Sequence, residues 1–134
     1  MNFVQSTSIK PKANFMALIY GPTGIGKTTL ALSAPSPALL DFDNGVTRVD
    51  AAFTPNALVA QISAWEGYNT MVTELAKLPS ETLIIDTASK MVEMIQFYVM
   101  NSDAYPYAKK GLKKPSVQAW GDIKQEFVGV GYRV

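Results

Sequence analysis

The sequence predicts an α/β fold with a mostly parallel sheet, and three observations predict it. Short apolar runs alternate with stretches of helical spacing along the 134 residues. Two of these runs, Ala38-Leu39-Leu40-Asp41-Phe42-Asp43 and Thr82-Leu83-Ile84-Ile85-Asp86, end in acid. A third run leads into Gly21-Pro22-Thr23-Gly24-Ile25-Gly26-Lys27-Thr28, which satisfies G-x-x-x-x-G-K-[ST] at every specified position. Strands alternating with helices favour parallel pairing, because each crossover needs a connecting helix.

The elements follow in order. Residues 1–13 are polar and read as a loose arm, with room for a short edge strand around Ser8-Ile9. Phe15-Met16-Ala17-Leu18-Ile19-Tyr20 suits a buried strand, and Leu30-Ala31-Leu32-Ser33-Ala34 favours a helix that stops at Pro35. The strand 38–43 comes next, closed by the turn signal Asn44-Gly45. Residues 46–63 are ambiguous, with Thr54-Pro55-Asn56 able to start a short helix. From Ser63 a helix is expected, since Trp65, Tyr68, Val72, Leu75 and Ala76 share one face before Pro79 ends it. The strand 82–86 precedes a helix over 88–101 with Met91, Val92, Ile95 and Val99 on one side. Residues 102–119 read as a loop broken by Pro106, Gly111 and Pro115, and a short helix spans Asp122 to Phe127.

Length points to one domain covering residues 1–134. Composition narrows the chemistry. No run of apolar residues approaches the ~18 that mark a membrane span, and the N-terminus lacks the basic-then-apolar pattern of a secretory signal. A cytoplasmic protein is expected. With no Cys there is no disulfide, thiolate metal site or cysteine nucleophile. With no His, acid–base work falls to carboxylates. A net charge of +1 says little about partners.

The glycine motif carries the strongest chemical signal. Glycines let the backbone approach a phosphate closely and turn through conformations closed to side chains. Successive N–H groups then form an anion nest, and the helix N-terminus adds partial positive charge. Such a P-loop takes in Gly21, Pro22, Thr23, Gly24, Ile25, Gly26, Lys27, Thr28 and Thr29. Lys27 is expected to reach the β- and γ-phosphates of a nucleotide, and Thr28 to ligate Mg²⁺. Asp86, closing an aliphatic strand, is expected to hold the Mg²⁺ shell; the plainer alternative is a cap for the helix that follows. Asp41 and Asp43 alternate along one strand and so are expected on opposite faces. One of them can orient the water that attacks the γ-phosphate, or both simply stabilise the Asn44-Gly45 turn.

"LIYGPTGIGKTTLALSAP", "ALLDFDNG" and "TLIIDTASKM", in this order, resemble the RecA-like P-loop ATPases of bacteriophages, including single-strand annealing and recombination proteins. "AW" followed by "GD" at 119–122 resembles a Trp-Gly step of that group, and the likeness runs from about residue 14 to 128. It implies a three-layer α/β/α fold, ATP binding, Mg²⁺-dependent hydrolysis and association with single-stranded DNA, in oligomers and in the host cytoplasm. The water-activating acid of that group matches Asp43, where glutamate is usual, and Thr87 agrees with the Ser or Thr that commonly follows the Mg²⁺ aspartate. The resemblance also implies a later strand beyond the Trp120 helix. No run after Phe127 supplies one, so an incomplete sheet is expected, with C-terminal truncation as the leading explanation and a neighbouring molecule that completes the sheet, or a different strand order, as the alternatives.

Lys109, Lys110, Lys113 and Lys114 beside Tyr105, Tyr107 and Trp120 combine positive charge with π-faces, as single-strand binding requires. The alternative is a solvated lysine loop whose tyrosines pack on the core. An arginine finger in trans would have to be Arg48 or Arg133, unless a lysine replaces it, and sequence context supports neither. A DNA-associated ATPase is therefore the leading expectation. The alternatives are a nucleotide-binding fragment without turnover and a P-loop small-molecule kinase, which usually needs a lid richer in arginine.

Overall fold

The structure, a computed structural model, describes residues 16–50, 52, 56–106 and 114–133. The expected arm at 1–13, Phe15, most of the expected turn of helix at 54–56, Tyr107, Lys109, Lys110 and Lys113 lie outside the described residues. Among the described residues a three-stranded parallel sheet forms the centre. It comprises β1 (Pro37–Asp41), β2 (Leu58–Gln61) and β3 (Thr82–Asp86), in the order β2-β1-β3. The helices are α1 (Lys27–Leu32), α2 (Tyr68–Leu75), α3 (Ala88–Asn101) and α4 (Val117–Arg133). The architecture is α/β, as the alternation of runs predicts.

β1 is the middle strand and every residue of it is buried, which explains its unbroken apolar reading. Leu39 pairs in register with Val59 on one side and Ile84 on the other. Leu39 and Ile84 pack with Leu32 of α1 on one face of the sheet. Leu40 packs on the opposite face with Met71 and Leu75 of α2, Met91, Ile95 and Val99 of α3, and Ala119, Ile123 and Val130 of α4. Helices therefore cover both faces.

Three expectations about the elements need correction, and one stretch left open resolves. Residues 16–20 form no strand; Met16, Leu18 and Tyr20 stand 82–87 % exposed. An apolar run favours burial but does not supply a partner strand, and no described strand pairs with this one. In the ambiguous stretch, β2 is a strand of four exposed residues, too short and too open to show a burial pattern. The helix expected from Ser63 begins only at Tyr68, after Gly67 turns the chain at φ 91°. Trp65 stays in the preceding loop, yet is buried. The short helix 122–127 is in fact the 17-residue α4, so "GVGYR" is helical.

Gly129 explains much of that last difference. A Cβ there would come within 2.7 Å of the Tyr68 ring, so α4 needs a glycine to approach α2. Packing outweighs the ~1 kcal/mol propensity cost of each glycine. Glu126, also on α4, is a buried carboxylate that gathers donors from three places. Trp65 Nε1–H and the Tyr68 backbone N–H each donate to its Oε2 at 2.7 Å, and the Tyr105 hydroxyl donates to Oε1. Tyr105 also meets Tyr98 edge-on, with centroids 6.0 Å apart. Burial, then the Glu126 hydrogen bond and charge, push the Tyr105 phenol above its ordinary range.

Candidate functional site

Residues 21–26 pass without regular structure into α1, whose first residue is Lys27. Gly24 and Gly26 adopt φ of 82° and 93°, in the left-handed region where a Cβ is costly. Among the described residues, no atom beyond the local backbone and the chain neighbours stands within 4 Å of where a Cβ would sit on either. No side chain caps the N-terminus of α1, and no acid lies in its first turn. Its leading N–H groups are therefore available to an external acceptor. Lys27 Nζ–H folds back and donates to the carbonyls of Gly21 at 3.0 Å and Pro22 at 2.8 Å.

From the second residue of this helix, Thr28 Oγ1–H donates to Asp86 Oδ2 at 2.5 Å, across 58 positions of sequence. Asp86 closes β3, and its backbone carbonyl accepts from Phe42 N–H at 2.7 Å, tying the ends of β1 and β3 together. The same register sets Asp41 opposite Asp86.

The two acids that end the β1 run do not diverge. The strand stops at Asp41, and the chain bends so that both carboxylates converge on one N–H group. Gly45 N–H donates to Asp41 Oδ1 and to Asp43 Oδ1, each at 2.9 Å. Asp41 is buried and also accepts from Val46 N–H at 3.1 Å, so it anchors the 3-10 turn Gly45–Arg48. Asp43 stays partly open and faces Arg48, whose Nη2 lies 3.9 Å from its Oδ1. A Cβ on Gly45 would sit 2.8 Å from Asp43 Oδ1, 3.5 Å from Asp86 Oδ2 and 3.7 Å from Arg48 Nη2. Thr28, Asp86, Asp43 and Arg48 thus gather at the carboxyl ends of two neighbouring strands, where ligands of α/β sheets bind.

The donor set suits a hard cation. Thr28, Asp43 and Asp86 present oxygen atoms alone, the preference of Mg²⁺, which keeps several waters and takes few protein ligands. The open space over Gly24 and Gly26 and the uncapped helix end suit a phosphate chain. Of the four lysines singled out in 102–119, the structure describes Lys114, which is exposed. Trp120 stands 49 % exposed at the start of α4. Sequence reasoning left Arg48 without a place and did not notice Glu126. The first is recognised by a contact across a bend, the second by contacts from α4 to the loop before α2 and to Tyr105.

A glycine loop that feeds a helix beside a parallel sheet, with a hydroxyl–carboxylate pair at the strand ends, is the architecture of P-loop nucleotide-binding domains. A family model described as an AAA domain matches residues 13–134, and the chain belongs to that family. At that level it is a nucleotide-binding protein of the ATPase class. No curated protein and no solved structure matches the chain. Among the described residues no helix is long and apolar enough to cross a membrane.

Proposed function

We propose that the chain binds ATP with Mg²⁺ on the 21–29 loop and hydrolyses the terminal phosphate. The observation that carries this reading is the 2.5 Å contact from Thr28 to Asp86, with Asp43 beside it. Magnesium, when bound, neutralises charge on the β- and γ-oxygens. Thr28 and Asp86 are the residues that would hold it. The Lys27 ammonium exchanges the Gly21 and Pro22 carbonyls for phosphate oxygens, a charge-assisted bond replacing a neutral one. Asp43, partly exposed and fixed by Gly45 N–H, orients the attacking water. The setting this reading assigns is phage recombination or annealing on single-stranded DNA, in oligomers. That assignment is supported by the family resemblance and by the lysines at 109, 110, 113 and 114.

A second reading, nucleotide binding without turnover, is favoured by one observation. The segment that leads into the loop, residues 16–20, pairs with no strand among the described residues and leaves the loop held from its α1 side. Phosphate release from ATP separates the two, measured with and without Mg²⁺ and oligo-dT against Lys27→Ala. Mg²⁺-dependent release that the variant abolishes is expected, with stimulation by oligo-dT if DNA is the partner. Tight binding with no release above the variant would replace hydrolysis by the second reading.

A further inference from the structure

We infer that Arg48 is a ligand of the terminal phosphate of a bound nucleoside triphosphate, supplied in cis, with Asp43 as the carboxylate that holds its guanidinium ready. This rests on the nucleotide reading above. Arg48 is one of two arginines in the chain and is the last residue of the 3-10 turn Gly45–Arg48. Buried Asp41 anchors the start of that turn through the N–H groups of Gly45 and Val46. A single short turn therefore links a fixed point in the core to the guanidinium.

The guanidinium lies where the acids of the site converge. It is 3.9 Å from Asp43 Oδ1, and a Cβ on Gly45 would touch Asp43, Asp86 and Arg48 at once. Asp86 in turn accepts the hydroxyl of Thr28, the neighbour of Lys27 in α1. Fold stability does not account for this placement, because the Arg48 side chain is 63 % exposed and an exposed pair at this distance contributes little. Arginine carries five donors in a planar fork suited to phosphate, and the contact with Asp43 leaves most of them unused.

Charge balance points the same way. Two carboxylates, Asp43 and Asp86, border the position a polyphosphate would take, and their repulsion must be offset locally. Mg²⁺ held by Thr28 and Asp86 would offset part of this, Lys27 adds charge from the loop side, and Arg48 adds it from the strand side, next to Asp43. A triphosphate offers γ-oxygens that share the guanidinium with Asp43. A diphosphate does not, and leaves Arg48 on Asp43 alone. Arg48 therefore distinguishes the two nucleotides and releases its hold when the γ-phosphate departs.

The test is calorimetric titration of wild type, Arg48→Ala and Arg48→Lys with Mg²⁺ plus either ADP or the β,γ-imido analogue of ATP. Arg48→Ala is expected to weaken the triphosphate analogue about tenfold while ADP stays within about twofold, and Arg48→Lys to recover part of the loss. Arg48→Lys keeps the charge and the stem, so it carries the comparison if the alanine variant misfolds. Equal losses for both nucleotides, or no loss for either, would overturn the inference and leave the nucleotide reading intact. If wild type binds neither nucleotide, that reading fails, and the role of Arg48 fails with it.

Discussion

Removing the Glu126 carboxylate tests whether one buried acid holds α4 against the rest of the chain. In Glu126→Ala three donors lose their acceptor: the Trp65 indole N–H, the Tyr68 backbone N–H and the Tyr105 hydroxyl. Trp65 is 5 % exposed, so water cannot replace the carboxylate there, and the stranded N–H costs about 1–3 kcal/mol. Tyr68 and Tyr105 are half-buried and regain water, at about 0.5–1 kcal/mol each. The emptied volume adds to this. Against these terms, no cation pairs with Glu126 among the described residues, so deleting it also relieves the desolvation of an isolated charge. The net expectation is a loss of about 3 kcal/mol, a large part of the ~5–15 kcal/mol that a domain possesses.

Glu126→Gln sharpens the test. The amide oxygen can accept from Trp65 and Tyr68 together, as Oε2 does, while the amide NH₂ donates to a Tyr105 oxygen turned to receive it. All three contacts survive without charge assistance, and the cost falls to about 1 kcal/mol. Urea unfolding followed by far-ultraviolet circular dichroism and tryptophan fluorescence reads both variants. With a slope near 2 kcal/mol per molar, the alanine midpoint drops by about 1.5 M and the glutamine midpoint by about 0.5 M. Equal losses for the two variants, or an alanine loss under about 1 kcal/mol, would refute the view that Glu126 acts by satisfying donors.

Three further outcomes follow from the same structure. Tyr105 has a raised folded-state pKa, so its contribution is complete below the unfolded value near 10 and shrinks as pH rises above it. Urea midpoints taken from about pH 9 to 11 should fall more steeply in wild type than in Tyr105→Phe, which lacks the titrating phenol. Gly129→Ala should destabilise by about 1 kcal/mol in the same assay despite alanine's better helix propensity, because its Cβ meets the Tyr68 ring at 2.7 Å. Asp41→Ala should cost about 3 kcal/mol of stability, whereas Asp43→Asn should leave stability nearly intact and, on the proposed hydrolysis, lower ATP turnover by about a hundredfold.

What the sequence makes legible depends on how local each signal is. β1, β3 and α3 stand close to their expected positions because burial on both faces, or on one helical stripe, leaves continuous or periodic runs. The loop at 21–26 is legible because its φ angles require glycine at fixed spacing. β2 has no such signal, being four exposed edge residues whose place comes from pairing with β1. Residues 16–20 fail in the opposite direction, apolar in sequence and unpaired in the fold. α4 carries a buried stripe at Ala119, Ile123, Glu126 and Val130, but its glycines read as helix ends because the sequence does not display the ring of Tyr68. Arg48 and Glu126 have the same difficulty. Their importance lies in what they touch.

The pair Asp41 and Asp43 shows how the fold and the proposed chemistry depend on each other. A carboxylate that orients water must remain open, so burial cannot fix its position. Here its neighbour supplies the fixing. Asp41 is the last residue of the fully buried β1, in register with Asp86, and its two oxygens accept from Gly45 and Val46. Gly45 N–H is shared with Asp43, so the buried acid sets where the open one can stand. The turn then ends on Arg48, which faces back onto Asp43. Asp86 is placed by the adjacent strand and Thr28 by the helix against it. A slip of one residue in β1, which is buried on both faces, would exchange the side chains of those faces and carry Asp41, Asp43 and Arg48 out of register with Asp86 together. The register of two short strands is therefore what brings three acids and a guanidinium to one end of the sheet.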